Sequence, residues 1–148
     1  MDPQEKATRS ADAMWSNDRA SKWFGMEIEE VAEGRAVLGL TVQDHHCNGH
    51  NICHGGVTFS LADSAFAFAC NSRNQSTVAQ TNLITFIAPG RLGDRLTAVA
   101  EEVSLAGRSG VYDVTVHNQD NVVIAEFRGM SRAIKGQLFE EEAYGDFP

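Results

Sequence analysis

Residues 48–72 read NGHNICHGGVTFSLADSAFAFACNS, and the second half of this stretch decides the fold. From 56 to 72, Val57, Phe59, Leu61, Ala62, Ala65, Phe66, Ala67, Phe68 and Ala69 cover every side of a 3.6-residue spiral. A helix that is apolar all round is a buried helix. At about 17 residues it is short for a bilayer span, and Asp63 lies within it, so the pattern predicts a helix at the centre of a protein core.

The flanks supply what wraps it. Residues 26–31 and 35–42 read as a strand pair joined at Glu33-Gly34, with Ala36, Leu38, Leu40 and Val42 on one face. Four further strands are expected near 77–86, 94–105, 109–118 and 122–134, separated by turns around Pro89-Gly90, Ala106-Gly107-Arg108 and 118–121. One long helix and about six strands make an α+β domain. Upstream, residues 3–24 carry an interrupted apolar stripe (Ala7, Ala11, Met14, Trp15, Ala20, Trp23, Phe24) that predicts a covering helical region, 1–25, ended by Gly25. Residues 1–136 form a single domain, and 137–148, with four acidic residues in twelve and no periodicity, are expected to be a mobile tail.

Composition narrows the function. A formal charge of −8 without a basic patch opposes binding to nucleic acid or to an anionic membrane. The first ten residues have no apolar signal-peptide core and no segment is suited to crossing a membrane, so a cytoplasmic location is expected. Three cysteines suit reduced thiols better than a disulfide framework.

Few residues are placed to do chemistry. Gly55-Gly56 opens the buried helix, where unpaired first-turn N–H groups suit an anion or a developing oxyanion; a tight turn is the plainer reading. Asp63 is a carboxylate among apolar neighbours, so it needs either a structural partner or a use as base or nucleophile. Asn48 and His54 flank the glycines as hydrogen-bond donors. The loop 44–53 together with His54 holds four of the five histidines, and His45, His46, Cys47, His50, Cys53 and His54 raise the alternative of a zinc-dependent hydrolase. No second ligand set follows downstream, so the expectation is no metal.

The run Asn48-x5-His54-Gly55-Gly56-x6-Asp63, with Leu61 ahead of the Asp, resembles the signature of the hotdog-fold acyl-CoA thioesterases of the PaaI type. Residues 65–72, Pro89-Gly90, 110–113 and 127–129 are similar to the phenylacetate-degrading members, and the similarity runs from about Met14 to Lys135. The resemblance implies a curved antiparallel sheet around the helix and pairing of two chains into one continuous sheet, commonly in tetramers. It implies hydrolysis of phenylacetyl-CoA or a ring-hydroxylated relative, with coenzyme A as part of the substrate and no separate cofactor.

By that resemblance the Gly55 N–H binds the thioester oxygen, His54 and Asn48 hold the carbonyl or the loop, and Asp63 activates water or attacks the carbonyl. Gly55 and Asp63 lie eight residues apart, roughly 12 Å along one helix, so a site using both needs the Asp63 of a second subunit. Where some relatives carry a water-orienting Ser or Thr, this chain has Ala79; Thr81, counted by period 2 onto the same strand face as Thr77, is the substitute candidate. Coenzyme A binding is expected at Pro89, Gly90 and Arg91 and at Arg108, Ser109 and Gly110, whose arginines and loop N–H groups suit phosphates. Phe59, Phe66 and Phe68 are open to two readings, aryl pocket or core. A non-catalytic acyl-CoA sensor is the other function compatible with the same residues.

Overall fold

In a computed structural model that describes residues 1–141, the predicted apolar helix is α3, Gly55–Cys70. Ahead of it lie α1 (Pro3–Asn17), α2 (Arg19–Phe24), β1 (Glu27–Ala32), β2 (Arg35–Thr41) and a short 3-10 turn at Asp44–His46. After it come β3 (Thr77–Phe86), β4 (Arg95–Ala106), β5 (Ser109–His117) and β6 (Val123–Ala133). All strand pairs are antiparallel, in the order β1-β2-β4-β5-β6-β3. The chain leaves α3 and returns at the far edge of the sheet, so β3 pairs with β6 on one side and with nothing described on the other.

Burial holds the arrangement. A 16-residue helix is marginal on its own. Here Leu61, Ala62, Ala65, Phe66 and Ala69 sink against Leu38, Leu40, Leu96, Ala98, Tyr112, Val114 and Phe127, all buried. Each large side chain removed from water contributes about 1.5–3 kcal/mol, which outweighs the helix's weak intrinsic preference. Small residues set the distance of approach: at Gly129 on β6, an added Cβ would meet the Phe66 ring at 2.7 Å.

The N-terminal region is two helices rather than one. Asp18 leaves helical geometry (φ −88°, ψ 88°) and its carboxylate accepts from Ser21 N, starting α2 as a cap. Gly25 then ends α2 in the left-handed conformation, as its position predicts. Part of the expected tail is held: Asn74 Oδ1 accepts from the Leu138 and Phe139 N–H groups, the Arg9 guanidinium stands 4.4 Å over the Phe139 ring, and Lys6 pairs with Glu141 at 3.1 Å. The rest of the tail, 142–148, lies outside the described residues. Among those residues, no helix is long and apolar enough to cross a membrane.

β3 carries an irregularity between Ala79 and Thr81, an extra residue relative to β6. Side-chain alternation slips by one there. The close contact of α3 with β6 yields the first testable outcome. Gly129→Ala forces the Phe66 ring to shift in a close-packed core, and a loss of about 1–3 kcal/mol is expected. A urea titration in which the midpoint falls while the slope stays constant is the check; an unchanged midpoint would show that the helix can back away freely.

Candidate functional site

The start of α3 is built as an open donor site. His54 is the N-cap, and its Nδ1 accepts from Gly56 N at 2.8 Å. The neutral ring therefore carries its proton on Nε2, free to donate outward. The next orphan donors are shared out in turn: Val57 N and Thr58 N bond the His54 carbonyl. Among the described residues, the Gly55 N–H has no partner. It lies at the positive end of a buried helix dipole, where a developing negative charge is stabilised. A Cβ added at 55 would stand 3.1 Å from Phe86 Cζ, a contact that a small shift of that exposed ring relieves.

The loop 47–53 is folded back so that it borders this terminus. Cys47 and Cys53 face each other as an isolated antiparallel bridge, and Asn48 N bonds Ile52 O. Asn48 Oδ1 accepts from His50 N, which leaves the carboxamide nitrogen for a ligand. Cys53 N donates to Gly90 O, clamping the Pro89-Gly90 turn alongside. A groove of about 460 Å³ results, lined by Asn48, Gly55, Thr58, Phe86, Pro89 and Gly90 among others. The structure thus brings together four of the residues singled out by sequence; Thr58, one turn into the helix, and Phe86 were not among them. Arg91 is exposed beside the groove, its N–H held by Asp94.

Asp63 lies two turns further along, against β3. Its Oδ1 accepts from Asn82 Nδ2 at 2.8 Å. Burial pushes its pKa up, and the Asn82 hydrogen bond opposes that rise in part. No carboxylate–cation pair holds it, so the structural ion pair left open by the sequence is not present among the described residues. Thr81 does not share this face. It pairs with exposed Met130, whereas Ala79 pairs with buried Ser131 and Asn82 with buried Gly129. The slip after Ala79 turns Thr81 outward and Asn82 inward, and a period-2 count has no means of seeing it.

The second predicted loop is at the other end of the sheet. Gly107 and Arg108 form the β4–β5 turn, with Ser109 opening β5, and the Ala133 N–H bonds Arg108 O, whereas Pro89 follows the opposite end of β3. Arg108 and Lys135 line a separate depression of about 520 Å³, and Arg132 stands opposite Ser109 on the neighbouring strand. These three cations have no carboxylate partner among the described residues. Gly110 is explained by packing, because a Cβ there would fall 2.6 Å from Ser131 Oγ.

The histidine-rich loop has a structural account. His46 is buried, with Nδ1 accepting from Gln43 N and Nε2 against Phe24 O, and burial pushes its pKa down. It pins the loop to the end of α2. Among the described residues, no three of His, Cys, Asp or Glu gather as metal ligands do. Cys53 is buried and its thiol pKa is pushed up, which makes it a poor nucleophile. Of the three phenylalanines, Phe66 and Phe68 are core, against Tyr112 and Trp15 respectively, while Phe59 is half-buried on Phe127.

Comparison with known proteins fits this geometry. A profile of the Thioesterase superfamily matches residues 50–125. The acyl-coenzyme A thioesterase PaaI of Escherichia coli K12 is 45% identical over 92% of this chain and 97% of its own. The solved structure of E. coli PaaI, from the phenylacetic acid degradation operon, superposes with a TM-score of 0.90 over 92% of this chain and 99% of that one, at 44% identity. A hypothetical thioesterase from Streptococcus pneumoniae, solved with coenzyme A, is 27% identical with a TM-score of 0.72, covering 76% of this chain and 90% of that one. The helix wrapped by a six-stranded antiparallel sheet, the open Gly55 terminus and these likenesses agree: the chain belongs to the thioesterase superfamily, among the PaaI-type hotdog proteins.

Proposed function

We propose that this chain hydrolyses aryl-acetyl-CoA thioesters, phenylacetyl-CoA or a ring-hydroxylated relative, to the free acid and coenzyme A, in sites shared between two copies. The observation that carries the reading is the unbonded Gly55 N–H in a groove, with a half-buried Asp63, held by no cation among the described residues, on the same helix but too far along it to reach the same carbonyl. The relative named for the phenylacetic acid degradation operon supports the acyl class, and Phe86 in the groove offers it an aromatic wall.

The reaction divides cleanly between the two ends. The thioester oxygen accepts from Gly55 N–H, with Asn48 Nδ2 and His54 Nε2–H as further donors. Loss of one such donor costs about 3 kcal/mol in comparable enzymes. Asp63 of the partner subunit takes a proton from water as the oxygen attacks the carbonyl carbon. The tetrahedral intermediate then expels the thiolate, breaking the C–S bond, and the proton held by the carboxyl passes to the sulfur.

Pairing through β3 supports this assembly. Its free edge is ten residues long, and Val78, Leu83, Phe86 and the adjoining Ile87 are 46–69% exposed, a hazard that soluble proteins normally cover. Antiparallel pairing of two β3 strands extends the sheet and sets the Phe86 end of one copy beside the Thr77 end of the other. That brings the partner's Arg108, Arg132 and Lys135 toward the Pro89 end of the groove, where cations suit coenzyme A phosphates.

Three outcomes follow from the proposal. Thiol release from phenylacetyl-CoA is expected to exceed that from hexanoyl-CoA, and Asp63→Asn is expected to lose on the order of a hundredfold or more in kcat. A native protein inactive on both substrates would favour a non-catalytic acyl-CoA sensor; a fully active Asp63→Asn would make the carboxylate structural. The same variant bears on stability. A carboxyl whose folded pKa is raised binds its proton more tightly in the native state, so stability falls as pH rises from the ordinary carboxylate value through the raised one. Asp63→Asn is therefore expected to unfold at a higher temperature than the native protein at pH 7 and at about the same temperature at pH 3, by calorimetry; a lower Tm at pH 7 would contradict the burial cost. Finally, Leu83→Lys on the free edge is expected to give folded monomers without turnover, read by light scattering and circular dichroism. Active monomers would place the whole site in one chain.

A further inference from the structure

Three features of the Asp63 environment stand together. Its carboxylate has one hydrogen-bonding partner among the described residues, the Asn82 carboxamide, at 2.8 Å. Asn82 Oδ1, by contrast, is buried with no partner among the described residues. The strand hydroxyl is absent from the inner face: Ala79 has none, and the slip in β3 turns Thr81 outward. The orientation of the amide is fixed by chemistry, because an ionised carboxylate only accepts, so the NH2 group has to face it.

A buried carbonyl oxygen without a donor is unfavourable, and this amide carries that cost while giving Asp63 its one hydrogen-bond donor among the described residues. A residue kept for packing would not be an amide. We propose that Asn82 is a positioning residue for the reaction, retained because its Nδ2 fixes Asp63 in one rotamer through Oδ1, leaving Oδ2 to take the proton from water. The inference rests on the thioesterase reading of Asp63 and extends it to a residue on β3.

The placement follows from the packing. Phe66, one helical turn beyond Asp63, seats its ring on Gly129; Asn82 is the strand partner of Gly129, so the turn before Phe66 meets Asn82. The surroundings leave Asn82 as the group that supports the ionised form. The inner faces of β3 and β6 present Ala79, Ile84, Phe127 and Ser131, none of them charged. On α3 itself, Cys70 is the titratable neighbour, with its pKa pushed up to about 12 and so neutral. On α2, Ser21 bridges Ser64 to Asp18, which keeps that carboxylate engaged away from Asp63.

The test compares Asn82→Leu and Asn82→Ser with the native protein and with Asp63→Asn. For Asn82→Leu the expected result is kcat on phenylacetyl-CoA lower by tenfold or more, KM within about threefold, and the acid limb of the kcat profile moved to higher pH. Asn82→Ser, which restores a short donor, is expected to recover part of kcat and to move the acid limb back. A purely structural Asn82 would leave the acid limb and kcat native in the folded fraction, whatever its effect on Tm; that result overturns the proposal. Native kcat in Asn82→Leu while Asp63→Asn is inactive would overturn the positioning role alone. An inactive native protein would overturn it together with the thioesterase reading.

Discussion

Everything in this molecule depends on a helix with no polar face being placed inside a sheet. Burial of α3 is what makes a 16-residue helix stable, and it also determines what the helix can do. In the low-dielectric interior its dipole and its unbonded first-turn N–H act more strongly than they would in water. The same surroundings raise the pKa of Asp63, so one packing arrangement sets both groups that the proposed mechanism uses. The opposite end of the helix is closed: Ser72 Oγ accepts from Gly34 N, and Arg73 forks onto Glu102 and reaches Glu33. At the Gly55 end, by contrast, a backbone donor stays unbonded among the described residues.

A second constraint comes from topology. The chain must cross from the centre of the sheet to its far edge after α3, which makes β3 an edge strand with exposed apolar side chains. Its outer groups want a partner, and under the proposed pairing that partner supplies the carboxylate that the Gly55 groove lacks. The outer face of the sheet is different in kind. Asp113 and Arg128 form a two-pronged ion pair there, and Thr115 bonds Glu126, so that face suits water.

Much of this was readable from the residues. The all-round apolar run of α3, the Glu33-Gly34 turn and the β3 boundaries follow from periodicity and turn chemistry, and Asn48, Gly55 and the Pro89-Gly90 turn, which the sequence singles out, line one groove. What the sequence concealed has particular causes. The slip after Ala79 has no glycine or proline to announce it, so a period-2 count places Thr81 inward and passes over Asn82. Asp18 breaks the N-terminal region into two helices through a side-chain cap that competes with a continuous apolar stripe. Lys135 and Arg132 join Arg108 only because antiparallel pairing brings the end of β6 to the β4–β5 turn, a long-range consequence that no local pattern carries.

The sharing of each site between two chains is tested most directly by mixing two inactive variants. Gly55→Pro removes the oxyanion N–H at the first helical position, where proline is tolerated, and the extended backbone of His54 (φ −57°, ψ 135°) suits a following proline. Asp63→Asn removes the base. Refolding the two together at equal amounts gives mixed dimers with one intact composite site, so recovery of about a quarter of native activity is expected. If Gly55 and Asp63 of the same chain served one carbonyl, every mixed dimer would remain as inactive as its parents, and that result would contradict the shared site.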